Sequence, residues 1–321
     1  MSARFVTGKV LGSVATLAFV IAFNFFLFRV VEPNPVDSLF RGRNLTQTQR
    51  AELTRQFGLD GSMGEQFVRY VGQTAQLNLG RSYTTNEPVA REIADRAPAT
   101  IALVGLAAIL SAVVGIFIGI VAAWRRGTAT DYTATTFTMA TYSMPDFWLG
   151  MLLTVFAFSL GWFPVGGLAD AGSDATGLAQ FGDWAKHIFL PMLTLAVAYL
   201  GEYALIMRSA LLDTMREDYL VLARAKGLRD ILVRNRHAVP NALLPVVTLL
   251  AINLGLVLSG AIAVETIFSW PGLGLASYEA LNGPDLPMLQ GLFLVFSAAV
   301  ILFNLIADLL YGYLDPRVRA S

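Results

Sequence analysis

Long apolar runs alternate with shorter polar segments along most of the chain. An apolar run of about 20 residues is long enough to cross the hydrocarbon of a bilayer as a helix. No water is present there to satisfy backbone groups, so spans of this kind must be helical. The pattern predicts an all-α polytopic membrane protein with six transmembrane helices, at residues 10–31, 98–123, 132–160, 187–208, 241–264 and 288–311.

The polar segments predict the domain organisation. The run at 10–31 follows Arg4 and Lys9 as the core of a signal peptide would, but no small-residue cleavage site follows it, so a retained helix is expected. We predict a cytoplasmic N-terminus with the first transmembrane helix at 1–31, an extracytoplasmic insertion at 32–97, a membrane core at 98–311 with a cytoplasmic loop at 209–240, and a cytoplasmic tail at 312–321.

Basic residues are unevenly distributed among the connecting segments, and cytoplasmic loops are those enriched in Lys and Arg. Arg125 and Arg126 follow the second span, basic residues crowd the segment 208–236 after the fourth, and the tail holds Arg317 and Arg319. The loops after the third and fifth spans are poor in basic residues. Both termini are therefore expected on the cytoplasmic side.

Composition narrows the class of protein further. The 321 residues are 55% hydrophobic and 14% charged, with no net charge, so membrane lipid is expected around the chain and nucleic acid is not an expected partner. The absence of cysteine excludes disulfides and thiolate metal sites. The two histidines, His187 and His237, lie far apart, so no histidine-rich metal site is expected.

Two helices are predicted in the insertion, at 46–57 and 66–77. Thr46 or Thr48 would cap the first of them, because a hydroxyl just before a helix satisfies free N–H groups. The apolar side of that first helix would carry Leu45, Leu53 and Phe57.

The loop 209–240 is patterned like a helical hairpin. Leu211, Met215, Tyr219 and Leu222 recur at helical spacing and predict one apolar stripe. Gly227 is expected to end this helix, since glycine tolerates the left-handed backbone that stops one. The opposite side would carry Asp213, Arg216, Glu217 and Arg224, and a second short helix would place Leu228, Ile231 and Leu232 on its apolar side. A helical hairpin of this kind at a membrane surface could be bound by a soluble partner.

Two segments of this loop carry a resemblance to a known family. Ala223–Gly227 reads Ala-Arg-Ala-Lys-Gly and Asn241–Pro245 reads Asn-Ala-Leu-Leu-Pro. Their spacing resembles the coupling loop of ABC-importer permeases, in the form of the dipeptide and oligopeptide branch, with Ala223 where many relatives carry an acid. The alternative is an amphipathic hairpin lying on anionic lipid, which explains neither the glycine nor the second segment.

The resemblance extends over nearly the whole chain. Further matches are Ser143–Gly150, Glu265–Gly274, Asp308–Tyr311 and Leu314–Arg317, in the order the family has them. Glu32–Pro35 departs from the family's Pro-Gly-Asp-Pro after the first span. The fold implied is the six-helix type I importer permease.

The resemblance implies a transport subunit in the cell membrane of a prokaryote, and no enzyme. The sole Gly-Lys pair, Gly8-Lys9, is followed by Val10 and forms no P-loop, so ATP and Mg²⁺ would be bound by partners. The implied partners are a second, dissimilar permease, two ATPase subunits or domains, and an extracytoplasmic binding protein. The implied cargo is a di- or oligopeptide, with nickel, glutathione or haem as alternatives found among relatives.

Three sets of residues are the candidate sites. The ATPase-coupling set is Tyr219, Leu222, Ala223, Arg224, Lys226, Gly227, Leu228, Arg229, His237, Asn241 and Pro245. The translocation-path set is Asp146, Glu202 and Asp308, because acids within spans are costly. They could instead pair with Arg208 or with polar groups on a sister subunit, or reach interfacial water. The outward-loop set is Glu265, Phe268, Trp270, Pro271 and Gly272, which would contact the binding protein, plug the path, or form a rigid turn.

Two other functions fit the sequence less well than transport. An intramembrane protease or lipid-modifying enzyme would need an activated nucleophile and a base within a span. Both histidines fall at span ends and no serine has an evident partner. A non-transporting scaffold would have no use for an ATPase-docking hairpin.

Overall fold

The computed structural model describes residues 3–31, 46–56, 60–170, 172 and 176–314. The described residues fold into helices joined by short connections. In chain order these are α1 (Ala3–Val31), α2 (Gln47–Gln56), α3 (Met63–Ala75), α4 (Val89–Trp124), α5 (Ala129–Tyr142), α6 (Asp146–Leu160), α7 (Leu178–Thr214), α8 (Asp218–Ala225), α9 (Asp230–Leu232), a π-helical turn (Val233–Ala238), α10 (Val239–Gly260), α11 (Ile262–Ile267), α12 (Leu273–Asn282) and α13 (Leu286–Leu314).

The predicted all-α fold is confirmed. Among the described residues, five helices are long and apolar enough to cross a membrane, and the number rises to six if one bent pair forms a single span. Two spanning helices exceed their predicted lengths, since α4 begins at Val89 and α7 extends from Leu178 to Thr214. They therefore project beyond the hydrocarbon and carry polar contacts at both ends of the molecule.

The third predicted span, 132–160, is two helices rather than one. α5 and α6 meet at an angle of 96°. Pro145 stands immediately before α6 with an extended backbone, and proline both lacks an N–H and keeps the preceding residue out of helical conformation. The single span predicted over 132–160 therefore turns through nearly a right angle just before α6.

Small residues bring the backbones of the membrane helices together around α7. A Cβ on Gly115 of α4 would lie 2.7 Å from the Leu200 carbonyl oxygen, and one on Gly119 would lie 2.5 Å from that of Ala204. From the other side, a Cβ on Gly201 would lie 2.4 Å from the Thr138 carbonyl oxygen of α5. Close approach through small residues is how membrane helices gain packing energy where no hydrophobic force acts between them.

Two ends of the molecule can be distinguished. The hairpin end holds residues 209–240 and is packed around Met207, Leu211, Leu220 and Val233. The insertion end holds residues 60–100 and 262–290. Its two apolar clusters are centred on Trp270 with Phe268 and Leu195, and on Val89 with Leu273 and Leu292.

The helices of the insertion begin at reciprocal side-chain caps. Gln49 N–H donates to Thr46 Oγ1 (3.3 Å) and Thr46 N–H to Gln49 Oε1 (3.0 Å), which confirms Thr46 as the cap. α3 begins three residues before its predicted start, because Ser62 and Glu65 form a capping box. Leu45, Phe57 and Glu32–Pro35 lie outside the described residues, as does the side chain of Leu53.

Polar side chains tie the insertion to the membrane helices. The Asn24 amide in α1 donates to the Tyr70 hydroxyl in α3 (3.0 Å) and to the Gln290 carbonyl oxygen in α13 (3.1 Å). The buried Asp285 carboxylate accepts from the backbone N–H of Tyr83 (3.1 Å) and from the N–H and hydroxyl of Thr84 (3.4 and 2.6 Å). The insertion is therefore attached to α1 and to the start of α13.

Candidate functional site

The hairpin at residues 209–240 differs from its prediction at the junction between α7 and α8. The single helix expected through Leu211, Met215, Tyr219 and Leu222 is interrupted, since α7 ends at Thr214 and α8 begins at Asp218. Turn bonds from Arg216 N–H to Asp213 O and from Glu217 N–H to Thr214 O, both 3.1 Å, close the break.

The interruption changes which side of the hairpin faces inward. Leu220 is fully buried and Ala223 is nearly so, whereas Leu222 is 57% exposed and Tyr219 is 39% exposed. The prediction of one continuous stripe was therefore wrong for Tyr219 and Leu222. Periodicity assumes an unbroken helix, and three turn residues shift the register of everything after them.

Gly227 ends α8 as predicted. Its φ of +78° lies in the left-handed region, and its N–H donates to the Arg224 carbonyl oxygen at 2.9 Å. A Cβ at this position would meet no atom within 4 Å. The requirement for glycine is thus conformational and does not come from crowding.

We call residues 218–232 the knob, and its exposed apolar side chains the knob surface. The knob surface comprises Tyr219, Val221, Leu222, Leu228, Ile231 and Leu232, each more than a third exposed. Three of these belong to the predicted coupling set. Val221 was missed, because it falls off the stripe that an unbroken helix would have. Contiguous exposed apolar side chains of this kind mark interaction sites.

The underside of the knob is anchored in the protein. Leu220 and Ala223 pack in one cluster with Met207 and Leu211 of α7 and with Val233 of the π-helical turn. Because close-packed interiors transmit displacement, the knob is mechanically continuous with the membrane helices.

Asn241 joins the two arms of the hairpin. Its amide donates to the His237 carbonyl oxygen (2.7 Å) and to the Tyr219 hydroxyl (3.1 Å), and that hydroxyl lies 3.4 Å from the same carbonyl. Burial raises the pKa of Tyr219 above its usual value, so the hydroxyl stays protonated. His237 thus acts here through its backbone oxygen.

The cationic residues of the hairpin have different surroundings. Arg224 Nε lies 3.6 Å from Asp230 Oδ1, and Trp124 Nε1 donates to Asp230 Oδ2 at 3.0 Å. The guanidinium of Arg224 also lies 5.9 Å from the centre of the Trp124 ring. Lys226 and Arg229 are exposed on the knob. The contact between Trp124 and Asp230 was not predicted from the sequence, since only the fold brings 124 next to 230.

Pro245 and Pro240 stand in the helix that follows the hairpin. Pro245 is exposed inside α10, and Pro240 is the second residue of α10, after the π-helical turn and Val239. Proline has no N–H to donate, so one backbone hydrogen bond of the helix is missing at each proline. A π-helical turn is one way in which a helix accommodates a missing bond.

The three acids of the predicted path are not brought together. Asp146 is half-buried at the start of α6, and its Oδ1 accepts from Phe147 N–H at 2.7 Å. Glu202 Oε2 accepts from the Asn253 amide at 2.9 Å, which joins α7 to α10. Asp308 is at the hairpin end, paired with Lys9 at 2.9 Å.

Arg208 is not the partner of Asp146 or Glu202, so the predicted pairing with Arg208 was wrong. It makes a two-pronged contact with Asp131, Nε to Oδ1 at 2.8 Å and Nη2 to Oδ2 at 3.0 Å. Asp131 also accepts from the Gly127 N–H at 3.0 Å. This pair ties the α4–α5 turn to α7, and bidentate guanidinium–carboxylate geometry makes it a specific one.

The outward loop is a rigid turn in this structure. Glu265 is fully buried; Thr100 Oγ1 donates to its Oε1 (2.7 Å) and Leu275 N–H to its Oε2 (3.0 Å). Burial raises the pKa of Glu265 against the opposing effect of these donors. A Cβ on Gly272 would lie 2.4 Å from the Glu265 carboxylate, so glycine is required there by space.

The aromatic residues of this loop also point inward. Trp270 is fully buried and its Nε1 donates to the Ala99 carbonyl oxygen at 3.0 Å, while Phe268 is 1% exposed. Pro271 is half-buried between Trp270 and Gly272. These side chains have almost no surface to present to another protein. Thr100, which holds Glu265, was not singled out from the sequence.

The chain matches two family models. Residues 115–320 match the model described as "Binding-protein-dependent transport system inner membrane component". Residues 2–104 match the one described as "Binding-prot-dependent transport system membrane comp, N-term".

Individual relatives match this chain over nearly its full length. The di/tripeptide transport system permease protein DppB of Pseudomonas aeruginosa (strain UCBPP-PA14) is 39% identical over 310 residues, which cover 92% of each chain. The dipeptide transport system permease protein DppB of Escherichia coli (strain K12) is 37% identical over 314 residues, again 92% of each. A solved structure of an amino acid ABC transporter with histidines is 13% identical, with a TM-score of 0.49, and covers 72% of this chain and 94% of that chain.

One family model covers well over half of the chain, and relatives such as these span nearly all of it. The chain therefore belongs to the family of binding-protein-dependent transport system inner membrane components, and it is a membrane-spanning transport subunit of an ABC importer rather than an enzyme.

Proposed function

We propose that this chain is one of two dissimilar transmembrane subunits of an importer for di- and oligopeptides. The cargo is suggested by the relatives named as dipeptide and di/tripeptide permeases. ATP and Mg²⁺ are assigned to two partner ATPase subunits or domains, since no P-loop stands around Gly8-Lys9. A binding protein would deliver the peptide at the insertion end.

The observation that carries the proposal is the construction of the knob. Its outer side exposes Leu222 and Leu228 beside Lys226 and Arg229, as a docking surface requires. Its inner side is fully buried at Leu220. An ATPase that grips the outer side would therefore displace the membrane helices packed against the inner side.

This coupling supports an alternating-access mechanism. Closure of two ATPases on ATP would draw the two knobs together and rock α7 and α10 with them, exchanging inward for outward access. In this arrangement the hairpin end and both termini face the cytoplasm of a prokaryotic cell. The insertion end faces outside.

Asp146 and Glu202 are the proposed acids of the path. Asp146 begins α6 and Glu202 lies within α7, and a carboxylate within membrane helices is costly unless it has a function. A peptide's ammonium group would compensate their charge during passage. Asp308 is less suited to this role, because Lys9 already compensates it.

Replacement of Gly227 by valine tests the proposal. A β-branched residue in left-handed backbone costs about 1–2 kcal/mol, enough to shift the hairpin about tenfold away from this conformation. We expect the assembled transporter in proteoliposomes to retain ATP hydrolysis while peptide uptake falls by about this factor.

Gly161→Val is the matched control. Gly161 has a φ of +64° and open space around its Cβ position, but it lies in the loop after α6, at the other end of the molecule. Equal loss of uptake in both variants, or normal uptake in Gly227→Val, would contradict the coupling role. Uptake that responds to a different ligand but not to peptides would contradict the cargo alone.

A further inference from the structure

Three side chains of metal-ligand type meet at the insertion end, away from the knob and from the proposed path acids Asp146 and Glu202. Asp170 lies in the connection after α6, and Asp183 and His187 lie one turn apart near the start of α7. One ligand atom from each lies within 4.8 Å of the others, the single such group found in the described residues. No role in the transport cycle proposed above uses them.

The histidine is oriented as a metal ligand is. His187 Nδ1 lies 2.9 Å from the Asp183 carbonyl oxygen, and because a carbonyl only accepts, Nδ1 carries the proton. A neutral imidazole protonated at Nδ1 has its lone pair on Nε2. An Nδ1–H bond to a backbone carbonyl is the usual way in which a ligating histidine is held with Nε2 directed at the ion.

Nε2 of His187 lies close to a carboxylate. The His187 side chain is 2% exposed, and no hydrogen bond of Nε2 is found within the described part of the chain. Asp170 Oδ1 lies 3.7 Å from Nε2, beyond hydrogen-bond distance. Two ligands that share one tetrahedral ion at about 2.0–2.2 Å lie at about this separation.

The two carboxylates are held in place by the fold. Asp170 N–H donates to Asp183 Oδ2 at 3.1 Å, which docks the connection onto α7. Asp183 Oδ1 lies 3.2 Å from His187 Nδ1, and the Asp183 side chain is 13% exposed. Asp170 is 79% exposed, so an ion has an entry path from solvent.

The donor set favours a particular class of ion. Two carboxylates and a neutral imidazole balance a double positive charge, and the imidazole favours transition metals over calcium and magnesium, which prefer oxygen. We propose that Asp170, Asp183 and His187 bind a divalent transition-metal ion such as zinc, which fastens the connection after α6 to α7. The sequence argument against a histidine-rich site does not exclude this one, because it needs a single histidine.

Metal retention by the full-length chain, purified in the assembled transporter, tests this inference. The protein is stripped with a chelator, dialysed against Zn²⁺ or the spectroscopic probe Co²⁺, and its metal content is measured. We expect one ion per wild-type chain, with Co²⁺ absorption bands of nitrogen–oxygen coordination. Asp170→Asn and His187→Gln should weaken retention by at least about 10–100-fold, the loss that even an outer-shell partner causes.

The controls are chosen to separate ligand loss from misfolding and from adventitious binding. Asp170 is mostly exposed, so Asp170→Asn has little reason to unfold the chain even if His187→Gln does. Asp95→Asn removes another exposed acid and His237→Gln the other histidine, and both should retain the ion. The inference would be overturned if wild type retained no more metal than Asp170→Asn. That result is expected if His187 is only a protonated bridge between the two carboxylates and any retained ion is adventitious.

Discussion

The hairpin around Gly227 and the turn around Gly272 are built in opposite ways, although the sequence marks both with aromatic, charged and glycine residues. The hairpin exposes apolar side chains and keeps only its underside buried. The turn buries its glutamate and both aromatic residues inside this chain. Gly227 has open space and a left-handed backbone, whereas Gly272 has an ordinary φ and no space. The difference indicates that the hairpin is made to meet a partner and the turn to hold the fold.

The largest expected effect contrasts two leucines of α8. Leu220→Ala should destabilise the protein by about 2–5 kcal/mol, because it removes a fully buried side chain and leaves a cavity. Leu222→Ala should change stability little and instead weaken ATPase recovery, since an exposed contact residue acts through the interface. Melting temperature and co-purified ATPase would be measured for both. If Leu222→Ala melted as early as Leu220→Ala, the division of the knob into two sides would be incorrect.

An intermediate effect is expected at the turn. Gly272→Ala places a methyl group 2.4 Å from the Glu265 carboxylate and from Thr100 Oγ1. Overpacking of this kind costs about 1–3 kcal/mol, visible as a lower melting temperature. Gly105→Ala is the matched control, since that helical glycine has no atom within 4 Å of its Cβ position and should melt like wild type or slightly higher. Equal melting of the two variants would argue against a close-packed turn.

The smallest expected effect is a pH dependence of stability that arises at the turn and not at the hairpin. Burial raises the pKa of Glu265 above its unfolded value of 4.5, so the folded state holds a proton that the unfolded state releases. The resulting stability is present below about pH 4.5 and is lost as pH rises through the folded pKa. In thermal melts, the melting temperature of wild type should fall as pH rises above about 4.5, and that of Glu265→Gln should not. Parallel curves would assign the decline to other groups.

Much of the candidate site could be predicted from local pattern. Gly227 was predicted to end a helix because the property it supplies, left-handed backbone, depends on that residue alone. Thr46 was one of the two caps predicted on the same local ground.

Other parts of the site were outside the reach of local pattern. Leu220 and Leu222 differ by two positions and are equally apolar, and a three-residue turn before Asp218 decides which of them is buried. Arg208 pairs with Asp131, 77 residues away, rather than with the nearer acid Glu202. No sequence periodicity marks either the turn before Asp218 or the ion pair of Arg208 with Asp131.

By itself the sequence determined the class of structure, the approximate position of the apolar runs, and the family. These follow from apolar length and local motif, because a bilayer imposes helices on any long apolar run. The tertiary structure alone decided that 132–160 bends by 96°, that Glu265 and Trp270 face inward, and that Asp170 meets His187. Those outcomes depend on which helices pack together, and packing partners are set by distant residues whose proximity exists only in the fold.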